Sequence, residues 1–165
     1  MKPRLVMDVA TLTGAMSVAL GTPATGVFSR KTRDWNTLAR AGSVSGDRVW
    51  RMPLWKSYND KMKKSPLADL NNISLTPGNK PNKPKIVQRL HWDNYSGVCS
   101  TLKHLFLGGG ACTAAGFLSN FTNCPSWMHL DIAGVMDNAG GEVKYLSNGM
   151  SGRPTRTMVN FVENL

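Results

Sequence analysis

Three sets of residues in this chain have the types that chemistry uses. His129 and Asp131 stand two apart in Trp127-Met128-His129-Leu130-Asp131, so on a strand they project from one side. An imidazole and a carboxylate on one face could ligate a metal, but the ion would need at least one or two further donors. The plainer reading is a His and an Asp satisfied structurally beside a strand end. Arg153 and Arg156 lie in the Gly/Pro loop Gly149-Met-Ser-Gly-Arg-Pro-Thr-Arg-Thr157. They could hold an anion, or be paired within the protein, and the residues leave both open. Gly108-Gly109-Gly110 could cradle a phosphate only after a strand and before a helix. Nothing before it reads as a strand, so a flexible loop is the plainer reading. There are ten Asp and Glu in all, and none forms a paired-acid motif. Composition and spacing alone therefore give no complete catalytic site.

Several elements must position these groups. Arg4 to Ala10 reads as a buried strand interrupted by Asp8, and Thr11-Leu12-Thr13-Gly14 as a tight strand-to-helix turn. Ala15 to Leu20 is a short helix stopped by Gly21 and Pro23. Gly26 to Ser29 is a second strand. Asp34 is expected to cap a helix running to about Ala41, with Trp35, Leu38 and Ala39 on one face. Arg48 to Leu54 is extended, Trp55 to Lys64 an amphipathic helix with a basic outer face, and Ala68 to Ile73 a polar connection. From about 75 to 107 the pattern is lost: Pro77, Pro81 and Pro84 exclude helix and central strand. Order resumes with a helix over Ala111 to Phe121, a strand from Trp127 and a helix to the end. Strands alternating with helices predict an α/β sandwich.

The chain has 165 residues, 41% of them apolar and 18% charged, which suits one globular domain. No apolar run reaches the roughly 18 residues of a membrane span. The start of the chain has no apolar signal core, and Cys99, Cys112 and Cys124 have no metal-like spacing, so reduced intracellular thiols are expected. The net charge of +10 admits a nucleic-acid partner. Because the basic residues are scattered, an acidic complement outside this chain is the preferred account, and nucleic acid is not expected as a partner.

Eight blocks in order resemble the leucyl (cytosol) aminopeptidase family. They are Asp8-Val-Ala-Thr-Leu-Thr-Gly-Ala-Met16, Ala19-Leu-Gly21, Thr25-Gly-Val-Phe28, Gly46-Asp-Arg-Val-Trp-Arg-Met-Pro-Leu54, Ala68-Asp-Leu-Asn-Asn-Ile73, Gly110-Ala-Cys-Thr-Ala-Ala115, His129-Leu-Asp-Ile-Ala-Gly-Val135 and Gly149 to Thr157. The resemblance implies an α/β/α sandwich with a mixed central sheet, incomplete at its N-terminal side. It implies a metalloaminopeptidase that releases N-terminal residues, leucine preferred, from peptides. Two divalent ions, zinc or manganese, would activate the water, and the enzyme would be a cytoplasmic homo-hexamer with no membrane association.

Residue by residue, the resemblance implies a substrate pocket. Thr11, Leu12 and Gly14 match the turn that holds the substrate's first residue. Ala133 and Met136 match the floor of the apolar side-chain pocket, and Ile73 the contact to the leaving residue. The family's metal ligands, its catalytic lysine and its signature Asn-Thr-Asp-Ala-Glu-Gly-Arg have no equivalent in these residues. The implied catalytic set and metal set in this chain are therefore both empty. The chain is expected to be the C-terminal portion of the catalytic domain, spanning 1–165, and inactive alone. It also departs from the family at 75–107, which reads either as an atypical insertion beside Ile73 or as intron-derived sequence. The alternatives to an enzyme part are a non-catalytic structural or assembly paralogue that keeps the fold, and a basic nucleic-acid-binding module.

Overall fold

A computed structural model describes residues 2–73, 109–138, 141 and 143–165. The stretch expected as an insertion therefore lies outside the described residues, apart from its flanks.

Four strands form one sheet: β1 (Val6–Ala10), β2 (Thr25–Ser29), β3 (Val49–Arg51) and β4 (Trp127–Asp131). Their spatial order is β1-β4-β2-β3. Strand β4 runs parallel to β1, with Asp8 opposite His129 and Ala10 opposite Asp131. It runs antiparallel to β2, with Phe28 opposite His129, and β2 is parallel to β3. The sheet is therefore mixed. Every residue of β2 and β4 is buried, as expected for inner strands covered on both faces.

Alternation along these two strands builds two separate cores. Val27, Met128 and Leu130 pack with Leu38 and Ala41 of α2 (Thr32–Ser45) and Phe161 of α5 (Thr155–Glu163). Phe28 points the other way and packs with Met16 of α1 (Gly14–Leu20) and with Ala111, Cys112 and Ala115 of α4 (Gly110–Leu118). Helices thus cover both faces of the sheet, the α/β sandwich that the strand and helix alternation predicts. A short helix α3 (Lys56–Met62) lies against α4. Gly116 permits that approach, because a Cβ there would meet Asn59 Cα at 3.3 Å.

The bounds of α2 differ from the expectation at both ends. Helix α2 spans Thr32–Ser45, begins after Lys31 and has Asp34 inside its first turn rather than at its cap. Asp34 there favours the positive end of the helix dipole without capping it. The helix also continues past Ala41 through a glycine and two serines, which propensity disfavours. Packing explains this. Gly42 is buried, and a Cβ on it would meet Asp47 O and Val49 Cγ2 at 3.2 Å. The chain then turns at Gly46, whose φ of 74° is open to glycine without strain. The Arg153–Pro154 peptide is cis.

Candidate substrate site at the ends of β1 and β4

Because β1 and β4 are parallel neighbours, their C-terminal ends deliver two loops side by side. The first carries Thr11, Leu12 and Thr13 into α1, and the second carries Ile132 to Met136. A crevice beyond the carboxyl ends of strands is the usual place for a site in such sheets.

One side chain ties the two loops together. Asp131 is fully buried at the end of β4. Its Oδ1 accepts the Leu12 amide at 3.2 Å and the Ala133 amide at 3.1 Å. Its Oδ2 accepts the Thr13 hydroxyl at 2.7 Å. Thr13 Oγ1 in turn accepts the Met16 amide at 3.1 Å and so caps α1. The backbone adds a bond from the Ile132 amide to Ala10 O at 3.0 Å. Ile132 O then accepts both the Val135 and Met136 amides, closing a turn. Gly134 sits so close to the end of α1 that a Cβ would lie 2.0 Å from Gly21 O.

The structure thus brings Thr11 and Leu12 on one loop, with Gly14 at the start of α1, beside the loop that carries Ala133 and Met136. Ala133 packs at the edge of the core formed by Met16 and Phe28. Met136 is 40% exposed. Ile73 is different. It follows Asn71, whose amide bonds back to Met62 O at 2.7 Å, and it is 55% exposed. Among the described residues no hydrogen bond joins it to the other five.

His129 and Asp131 do not act together. The His129 ring is fully buried and lies between Phe28 and Trp127, stacked with both at centroid distances of 5.9 and 6.4 Å. Its Nδ1 bonds Asp8 Oδ1 across the β1–β4 pair. Asp8 Oδ2 accepts the Trp127 indole N–H at 2.9 Å. The acid that interrupts β1 is thus the partner of two donors on its neighbour, and only the parallel register could show that. His129 Nε2 is buried with no hydrogen-bond partner among the described residues. The two side chains are thus bonded within the protein to different partners, His129 to Asp8 and Asp131 to Leu12, Thr13 and Ala133.

Arg153 is structural as well. Its Nε donates to Asp47 Oδ1 at 2.5 Å, Nη1 to Thr22 O at 2.7 Å and Nη2 to Pro23 O at 3.1 Å. The Arg153 and Asp47 side chains are 4% and 1% exposed. This fork uses the planar, multi-donor geometry that lysine lacks. Arg156 places its guanidinium over the Tyr145 ring at 4.8 Å. Sequence reasoning gave Arg30 no role at all. It donates to Cys124 O at 2.6 Å, Ser119 O at 2.5 Å and Thr122 O at 3.0 Å, and covers the Trp127 ring at 5.4 Å. No local signal marks a residue whose partners lie some ninety positions away. Gly109, with φ of 74°, opens α4 without a side-chain cap.

The described donor set does not fit a metal ion. Among the described residues no group of three or more His, Cys, Asp and Glu converges. The oxygens of Asp8 and Asp131 are already engaged by donors from the protein. Of the thiols, Cys112 is buried, and burial pushes it above its ordinary pKa, with the Tyr58 hydroxyl partly opposing. The Tyr58 phenol is pushed up too, by desolvation first and by Cys112 second. Among the described residues no helix is long and apolar enough to cross a membrane.

Known proteins share this chain's sequence and fold. The catalytic-domain model of the cytosol aminopeptidase family matches residues 1–84 and 91–159. A cytosol aminopeptidase of Xenopus tropicalis is 47% identical over 163 residues, covering 99% of this chain and 26% of that protein. The cytosol aminopeptidase of Homo sapiens is 44% identical over 160 residues, covering 97% of this chain and 25% of its own length. This chain therefore spans about a quarter of the length of the curated relatives it matches. A solved tomato leucine aminopeptidase mutant superposes with a TM-score of 0.70 at 28% identity, over 98% of this chain and 25% of that one. The bottromycin maturation enzyme BotP, in complex with Mn, gives 0.72 at 27% identity, over 98% and 29%. With its mixed sheet, its adjoining strand-end loops and this match along nearly its whole length, the chain belongs to the cytosol aminopeptidase family.

Proposed function

We propose that this chain supplies the substrate pocket of a leucyl aminopeptidase, an enzyme that releases N-terminal residues from peptides. The observation that carries the reading is the adjacency of the two loops after β1 and β4. It puts Thr11, Leu12 and Gly14 beside Ala133 and Met136. Backbone groups of the first loop would hold the polar end of the substrate's first residue. Met136 and Ala133 would cover its side chain, and burying a leucyl side chain is worth about 1.5–3 kcal/mol. Ile73 would meet the residue after the scissile bond.

In this reading the chain binds and orients the substrate, and its own residues neither activate water nor hold metal. Two divalent ions, zinc or manganese, would supply the hydrolytic chemistry in the working enzyme. The manganese complex of BotP supports a metal dependence of this kind. The described donors do not fit those ions. The same reading includes a homo-hexamer, and it takes a cytosolic location from the names of the relatives. It also treats 1–165 as the C-terminal portion of the catalytic domain, with the stretch at 75–107 as an atypical insertion.

Two measurements on the purified chain test the proposal. Leucinamide should shift the backbone resonances of Leu12, Gly14 and Ala133, and aspartic acid amide should shift them far less. Equal effects of the two amides, or none, would remove the apolar pocket. The chain supplied with manganese or zinc should release no leucine from a leucyl peptide. Metal-dependent release would show that it holds a complete catalytic centre.

A further inference from the structure

We infer that Asp131 is a positioning residue, whose carboxylate sets the spacing of the two loops and so the shape of any pocket built from them. The proposal deepens the pocket reading above and rests on it for the ligand, but the lock itself rests on geometry alone.

The carboxylate is fully buried, yet among the described residues it faces no cation. Three donors from the protein take its place: the amides of Leu12 and Ala133 on Oδ1 and the Thr13 hydroxyl on Oδ2. Two of the three lie more than a hundred residues away in sequence, so these bonds report tertiary placement rather than a local turn. Hydrogen bonds to a buried charged group are short of competitors and strong. Each holds one element of the site: Leu12 the loop after β1, Thr13 the start of α1, and Ala133 the loop after β4. A carboxylate suits this task because it accepts only, and all three neighbours donate. Gly134 presses against Gly21 O on the far side of the second loop. That loop is thereby held from two directions, and Asp131 is the direction that links it to Leu12.

Asparagine keeps Oδ1 for the two amides and changes only what Thr13 meets. Alanine removes every link. The two substitutions therefore separate the lock from the mere presence of a side chain. The test is amide hydrogen exchange on the full 165-residue chain, followed by titration with leucinamide. In Asp131→Ala the amides of Leu12 and Ala133 should exchange at least about tenfold faster, the loss expected for bonds to a charged group. The amides of Val27 and Leu38 in the distant core should keep their rates. Asp131→Asn should stay near the parent rates. Leucinamide should bind Asp131→Ala at least about tenfold more weakly and Asp131→Asn within about threefold, since its acceptor for both loops remains.

Unchanged protection of Leu12 and Ala133 in a folded Asp131→Ala would overturn the proposal. Equal acceleration of the Val27 and Leu38 amides would also overturn it, because the residue would then serve global stability only. If Asp131→Ala does not fold, Thr13→Val carries the test by removing the bond to Oδ2 and the cap on Met16 while leaving Oδ1 in place. Met16 should then lose protection while Leu12 and Ala133 keep theirs through Oδ1, and loss of protection at Leu12 and Ala133 would sink the lock. A parent chain that ignores leucinamide while its loop amides behave as described would refute the pocket reading and support the lock.

Discussion

Replacing Arg153 by methionine should be among the most damaging single changes outside the cores. Methionine keeps much of the length and apolar stem of arginine while removing every donor. The change would leave the Asp47 carboxylate, 1% exposed, with no cation. It would also withdraw donors from Thr22 O and Pro23 O, which fix the turn between α1 and β2. Breaking a buried ion pair from one side costs about 3–5 kcal/mol, mostly through the stranded charge. Against the 5–15 kcal/mol that typically separates a folded domain from its unfolded chain, roughly a fifth or more of the margin would go. In urea, with a slope of about 1–3 kcal/mol/M, the midpoint should fall by more than about 1 M. Tryptophan fluorescence would follow it. The double variant Asp47→Asn with Arg153→Met should recover part of the loss, because no charge is then buried alone. A loss under about 1 kcal/mol in Arg153→Met, or a double variant no better than the single, would refute the claim that a buried charge pair pins this turn.

Other substitutions sort by the same reasoning. Arg156→Ala removes only an exposed guanidinium over Tyr145 and should cost about 0.5–1 kcal/mol in the same assay. Gly134→Ala drives a Cβ toward Gly21 O, a backbone atom that cannot step aside. It should lose about 1–3 kcal/mol or more, while Gly14→Ala, which meets nothing within 4 Å, should be close to neutral. Burial holds the Cys112 thiol above its ordinary range. The folded chain therefore binds that proton more tightly than the unfolded one. The contribution is complete below the unfolded pKa and is lost as pH rises through the folded one. Unfolding midpoints should fall on going from neutral to alkaline buffer, and less steeply in Cys112→Ala. The raised Tyr58 phenol acts in the same direction, so some slope should persist in that variant.

The sequence by itself determined the elements and their order. Apolar periodicity marks β1, β2 and β4, and glycine and proline mark where α1 and α2 stop, because these signals act over a few residues. It also supported the family through blocks in register, and it named Thr11, Leu12, Gly14, Ala133 and Met136 as pocket residues. Tertiary structure decided what it could not. Helix α2 runs through Gly42 because β3 and the Asp47 carbonyl press against that glycine. Asp8 reads as a flaw in a buried strand until the parallel register sets it opposite His129. Asp131 pairs by spacing with His129, yet its carboxylate turns to Leu12 and Thr13, which sit on another strand's loop. Arg153 and Arg30 are scattered cations in the sequence and become the pins of separate loops once folded. The physical reason is common to all of these. A polar side chain buried in a core costs free energy unless it is bonded, and its partner is chosen by which strands lie side by side. That choice is made by long-range pairing, over a hundred residues here, and no window along the chain contains it.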